Sequence, residues 1–100
     1  RKPLHPVIAM RMTHVIVAGL VQGVCFREYT RRQAFALQLT GWVRNLPNGS
    51  VEAMLCGPAD KVAAMLQWLR QGSPYARVDT LHVTEVDDGD EDFTTFEIRY

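Results

Sequence analysis

The stretch Gly19-Leu20-Val21-Gln22-Gly23-Val24-Cys25-Phe26-Arg27 constrains this chain more than any other. Upstream, Thr13 to Gly19 is nearly all apolar, with β-branched Val15, Ile16 and Val17, and reads as a buried, central strand. Downstream, Arg27 to Leu39 holds good helix formers, and Phe26, Thr30, Ala34 and Leu37 fall on one helical stripe. A strand that passes through a short glycine-containing loop into a helix aims several backbone N–H groups and the positive end of the helix dipole at one spot. Such a spot favours an anion. Arg27 at its mouth adds a permanently charged fork whose donors match two phosphate oxygens, which a lysine would not do. The stretch predicts a phosphate site.

The rest of the chain supplies the frame. Gly41 is expected to stop the first helix in a C′ role. Trp42 to Leu46 and Val51 to Cys56 read as strands around Pro47-Asn48-Gly49-Ser50, and Asn-Gly between strand-like runs signals a hairpin. Pro58 and Asp60 suit a first helical turn, after which Val62, Met65, Leu66 and Leu69 form a core-facing stripe closed by Gly72 and Pro74. Val78, Leu81, Val83 and Val86 keep no single period of two, which predicts a strand with a bulge or a short lead-in turn. Asp87 to Asp92 is expected to be a turn. Phe96, Ile98 and Tyr100 alternate with Glu97 and Arg99 and predict a final strand with one buried face.

The order is therefore β-α-β-β-α-β with an additional C-terminal strand: an α+β, ferredoxin-like sandwich, its mostly antiparallel sheet covered by two helices on one face. With right-handed crossovers and sheet order 4-1-3-2, the loop after strand one, the end of strand two and the hairpin share one edge. Strands one and two then lie two spacings apart, about 9 to 10 Å. An arginine at position 27 and the amide of Asn45 can span that gap to a common ligand. Cys25 and Cys56 fall at opposite edges, too far apart for a disulfide, so both are expected to remain thiols. His5, His14 and His82 show no metal-ligand spacing with them, and each reads as a surface or satisfied strand residue.

One hundred residues, 47% apolar and 22% charged, fit one domain. Formal charge is zero, which gives no general reason to expect nucleic acid or an acidic membrane as partner. The halves differ: residues 1–50 hold seven basic residues against Glu28 alone, net +6, and residues 51–100 are net −6. Six of the acids lie within Glu85 to Asp92 and read as a solvated loop. Two cysteines, with neither a secretory signal nor an apolar run long enough to span a bilayer, suit a soluble protein of the cytoplasm. Residues 1–11 read as a disordered extension, and the domain as 12–100.

Taken in order, the residues resemble the acylphosphatase family. The match rests on Gly19 through Arg27, Ala34, Gly41-Trp42-Val43-Arg44-Asn45, Gly49-Ser50-Val51-Glu52, Gly57-Pro58, Gly72-Ser73-Pro74 and the closing Phe96-Glu97-Ile98-Arg99-Tyr100. The resemblance implies hydrolysis of small acyl phosphates to a carboxylate and inorganic phosphate, with no metal and no cofactor. It implies Arg27 as the phosphate-binding arginine, the amides of Gln22, Gly23, Val24, Cys25 and Phe26 as the cradle, and Asn45 as the residue that orients the attacking water. Members of the family vary between glycine and cysteine at the position of Cys25, so that thiol is not expected to be a nucleophile. Inorganic phosphate or sulfate is the anion expected to occupy the cradle, and a monomer is expected.

The chemistry suits so sparse a site. A carboxylate leaving group has a conjugate-acid pKa of about 4 and departs without a general acid. Phosphoryl transfer then asks the protein mainly to position groups and to neutralise charge on the equatorial oxygens. The water's proton is expected to go to a phosphate oxygen, since the one acid near that edge, Glu28, is expected to point outward. Three other readings compete. One is a metal-carrying or small-molecule regulatory ferredoxin-like domain: the lack of a Cys-x-x-Cys motif argues against the first form, and the second stays open. An RNA-binding module on this fold would stack bases on strands one and three, which here carry no aromatic residue. A domain cut from a larger carbamoyl-transferring factor would share the loop and asparagine, but the short lead-in and the end at the closing strand favour the free-standing enzyme.

Overall fold

The computed structural model describes residues 10–23, 25–86 and 93–100. The leading residues, Val24 and the acidic turn expected at 87–92 lie outside them. Seven elements follow in order: β1 (Met10–Leu20), α1 (Phe26–Ala36), β2 (Thr40–Asn45), β3 (Val51–Pro58), α2 (Ala59–Gln71), β4 (Arg77–Val86) and β5 (Phe96–Arg99). They build one five-stranded sheet in the order β4-β1-β3-β2-β5. All pairings are antiparallel except β2 with β5. This is the ferredoxin-like arrangement with its extra C-terminal strand.

Period-two alternation decides which face is covered. Thr13, Val15 and Val17 of β1, Val51, Ala53 and Leu55 of β3, and Val43 of β2 are fully buried. Against them pack Phe26 and Ala34 of α1 and Val62, Met65 and Leu69 of α2, the helical stripes expected from the sequence. The other face carries His14, Glu52, Arg44 and Trp42. Glu52 there accepts hydrogen bonds from Arg44 Nε at 2.5 Å and pairs with His14 Nε2 at 2.7 Å. Burial works to raise the Glu52 pKa, but hydrogen bonds from His14 and Arg44 outweigh it and hold the group below its ordinary value. Trp42 lies on this sheet face beneath the guanidiniums of Arg44 and Arg99, 5.4 and 5.1 Å from its ring centre.

Several boundaries differ from the sequence reading. The first helix ends at Ala36, before Leu39, and Gly41 is not its C′ residue. That place is taken by Gln38 at φ 60°, and the N–H groups of Gln38 and Leu39 donate to Phe35 and Ala34, closing a Schellman turn. Gly41 serves β2 instead: a Cβ there would stand 1.9 Å from the Met54 carbonyl oxygen. Strand β5 ends at Arg99, so Tyr100 does not continue its buried face and is 98% exposed. Strand β1 begins at Met10, with Met10 and Arg11 opposite Pro58 and Gly57. The bulge expected in β4 is present: Ala18 pairs with Thr80 and Gly19 with Val78, which leaves Asp79 over.

The hairpin is present as well, with its tight turn over Leu46 to Gly49. Gly49 N–H donates to the Leu46 carbonyl, and Asn48 Oδ1 accepts from Ser50 N–H. Cys56 pairs with Met12 near the start of β1, whereas Cys25 follows its end, and no disulfide joins them. Among the described residues no helix is long and apolar enough to cross a membrane.

Candidate active site

The sheet order decides what meets at the upper edge. Strands β1 and β2 run parallel with β3 between them, so the loop leaving β1 and the last residue of β2 finish side by side. Val21 is buried and ends the strand's apolar run. Two left-handed residues then turn the chain, Gly23 at φ 74° and Cys25 at φ 60°. Nothing stands within 4 Å of where a Gly23 side chain would begin, so the glycine serves the backbone angle, not a close approach. Phe26 anchors the helix start: it is buried and packs on Trp68 with ring centres 6.2 Å apart.

Within α1 the first backbone hydrogen bond runs from Tyr29 N–H to the Cys25 carbonyl. The N–H groups of Phe26, Arg27 and Glu28 therefore have no partner inside the helix, and they carry its positive end. Beside them lies a concavity of about 410 Å3 lined by Gly23, Cys25, Phe26, Arg27 and Asn45, with Ile98 and Tyr100 completing its wall. The two residues expected to converge do share one hollow. A slightly larger hollow of about 460 Å3 lies at the other end of α1, but among the described residues its lining holds no charged side chain, only groups such as Phe35, Gln38 and Thr94.

Electrostatics separate Arg27 from its neighbours. Arg31, Arg44, Arg77 and Arg99 each pair with a carboxylate, whereas Arg27 has none among the described residues. Its guanidinium lies 4.9 Å from the Tyr100 ring centre, a contact that steadies the plane and leaves the N–H fork for an anion. Glu28 lines the same hollow, but its carboxylate is taken by Arg31 and lies 3.7 Å from Arg32 Nε. Asn45 Oδ1 is buried and has no hydrogen-bond partner among the described residues, and Asn45 lines the hollow.

Sequence reasoning missed two parts. Gln22 was expected through its backbone amide, yet its side chain ties the loop to the hairpin: Nε2 donates to the Leu46 and Ser50 carbonyls at 2.8 and 2.7 Å. Tyr100 was placed on a buried face by alternation and instead stands over Arg27. A glutamine flanked by loop residues hinted at the first; nothing in the pattern signalled the second.

A ferredoxin-like sheet with an arginine unpaired among the described residues at a helix N-terminus defines a small α+β protein with a hollow suited to an anion. Known proteins specify the family. The acylphosphatase family model matches residues 13–98. An acylphosphatase of Syntrophobacter fumaroxidans is 51% identical over 90 residues, covering 90% of this chain and 92% of that protein. Among solved structures, an acylphosphatase from Coxiella burnetii superposes with TM-score 0.85 at 43% identity, over 90% of this chain and 93% of that one. One from Bacillus subtilis gives 0.86 at 34% identity, over 92% and 100%. The chain belongs to the acylphosphatase family, hydrolases acting on acid anhydrides, and its activity is the hydrolysis of acyl phosphates.

Proposed function

We propose that the chain hydrolyses small acyl phosphates without a metal, and that the hollow at the start of α1 is where it does so. The amides of Gly23, Cys25 and Phe26 and the Arg27 fork hold the phosphoryl group, and the Asn45 amide orients the attacking water. The observation that carries this reading is that an arginine without a carboxylate partner among the described residues and an asparagine from a separate strand line one concavity at a helix N-terminus. Water oxygen attacks phosphorus as the bond to the carboxylate oxygen breaks; the carboxylate leaves with the bonding pair, and the water's protons pass to phosphate oxygen. No side-chain base is required, and Glu28 is held by Arg31 and Arg32. Preorganised donors lower the barrier by meeting the charge that builds on the equatorial oxygens.

A substrate panel tests the reading. Acetyl and benzoyl phosphate should release phosphate in the presence of a chelator, and phosphate monoesters and nucleotides should not. Inorganic phosphate should inhibit competitively, because it occupies the cradle that the substrate needs. Activity that disappears with the chelator and returns with a divalent ion would defeat the metal-free mechanism.

A further inference from the structure

Thr30 Oγ1 and Asn45 Oδ1 are buried and lack a hydrogen-bond partner. They sit on elements that pack together, α1 and β2. Thr30 is fully buried, one helical turn below Phe26 on the inward stripe. Asn45 follows Val43 by two residues and shares its core-facing side of β2. Helix α1 starts beside Asn45, since Phe26, Arg27 and Asn45 line one hollow, and it ends beside Thr40, since Ala36, Gln38 and Thr40 line another. It therefore runs antiparallel to β2, and its second turn lies beneath the strand's last residues.

A buried polar atom with no partner has given up its water without a return and destabilises the fold. Two of them on facing elements, one able to donate and one able to accept, are satisfied together by one shared water. Water in the active-site hollow does not serve, because Oδ1 is sealed from solvent. We propose that Thr30 is a positioning residue: its hydroxyl is joined to Asn45 Oδ1 through one enclosed water, and this fixes the amide with its NH2 toward the hollow. The N–H then donates to one lone pair of the attacking water, leaving the other aimed at phosphorus. The inference rests on the proposed role of Asn45.

The test compares Thr30→Val, which keeps the shape and removes the hydroxyl, with Thr30→Ser, which keeps the hydroxyl. Benzoyl phosphate turnover is measured for each alone and in the Asn45→Ala background. Thr30→Val should lower kcat about ten- to a hundredfold with the inhibition constant of inorganic phosphate unchanged. Thr30→Ser should stay near wild type, and Thr30→Val should add no further loss once Asn45 is alanine. In NMR spectra the Asn45 side-chain amide signals should shift in Thr30→Val and hold in Thr30→Ser. Thr30→Val should unfold at a somewhat lower temperature than wild type, because Asn45 Oδ1 loses its donor, yet well above the assay temperature, which shows that the lost turnover is not one of folding; a midpoint at or above wild type would overturn the proposal. Wild-type kcat in Thr30→Val, an equal loss in both backgrounds, or equal losses in both Thr30 variants would each overturn it too. If Asn45→Ala itself turns over normally, the role of Asn45 fails and that of Thr30 falls with it; a defective Asn45→Ala beside a silent Thr30→Val overturns Thr30 alone.

Discussion

Cys25 holds φ 60° and ψ 23° at the N-cap of α1, a left-handed conformation that an L-residue with a side chain adopts at a cost of about 1–2 kcal/mol. No side-chain hydrogen bond caps the helix in return. In the proposed site that strain serves the phosphate cradle, in which the free amides of the first turn face the hollow beside Arg27. The thiol itself has no part in the proposed mechanism. Cys25→Gly should therefore raise the unfolding free energy by about 1 kcal/mol and leave kcat within a factor of about two. Chemical denaturation and steady-state kinetics check both; a large loss of turnover would make the thiol a participant. Gly23, a few residues earlier, needs its φ of 74° and has open space around it, whereas Gly41 is fixed by the Met54 carbonyl.

At the scale of elements, α1 ends on a Schellman turn with glutamine where glycine is usual. Gln38→Gly should stabilise the fold by about 1 kcal/mol without touching the site at the helix's other end, and an unchanged or lowered urea midpoint would contradict that. This turn also shows where the sequence misleads. Gly41 drew the helix end toward itself because glycine is the commonest C′ residue, but the glycine was needed for β2 to pass close to β3. Strand identities, the hairpin, both helical stripes and the β4 bulge were legible because each rests on local periodicity or turn chemistry. The Gln22 side-chain bonds and the Tyr100 contact were not, because both depend on how distant segments meet. The His14–Glu52–Arg44 cluster lies on adjacent strands and was likewise hidden. The folded-state pKa of Glu52 is lowered, so its contribution is complete above about pH 4.3 and is lost as the pH falls through the folded value. Stability should drop more steeply on acidification in wild type than in Glu52→Gln, as read by denaturation at pH 7 and pH 3; parallel profiles would remove the cluster from the account of acid unfolding.

For the whole molecule, the strand order β4-β1-β3-β2-β5 is what turns two modest local signals into one site. Arginine after a glycine loop is common, and asparagine at a strand end is common. Parallel β1 and β2 with β3 between them bring the two to a shared hollow, and β5, parallel to β2, adds Ile98 and Tyr100 to its wall. The uneven charge follows the same division: the half of the sequence that carries the hollow is net +6. In the proposed function, binding and chemistry fall to different segments, Arg27 on the loop and helix, Asn45 on the strand, and that division is measurable. Benzoyl phosphate kinetics and phosphate inhibition should be determined side by side for Arg27→Lys and Asn45→Ala. Arg27→Lys should weaken phosphate inhibition and lower kcat/KM about a hundredfold, while Asn45→Ala should lower kcat by a similar factor with phosphate inhibition unchanged. Near-normal kinetics in Arg27→Lys, or an Asn45→Ala variant that loses phosphate affinity and keeps its kcat, would contradict the assignment.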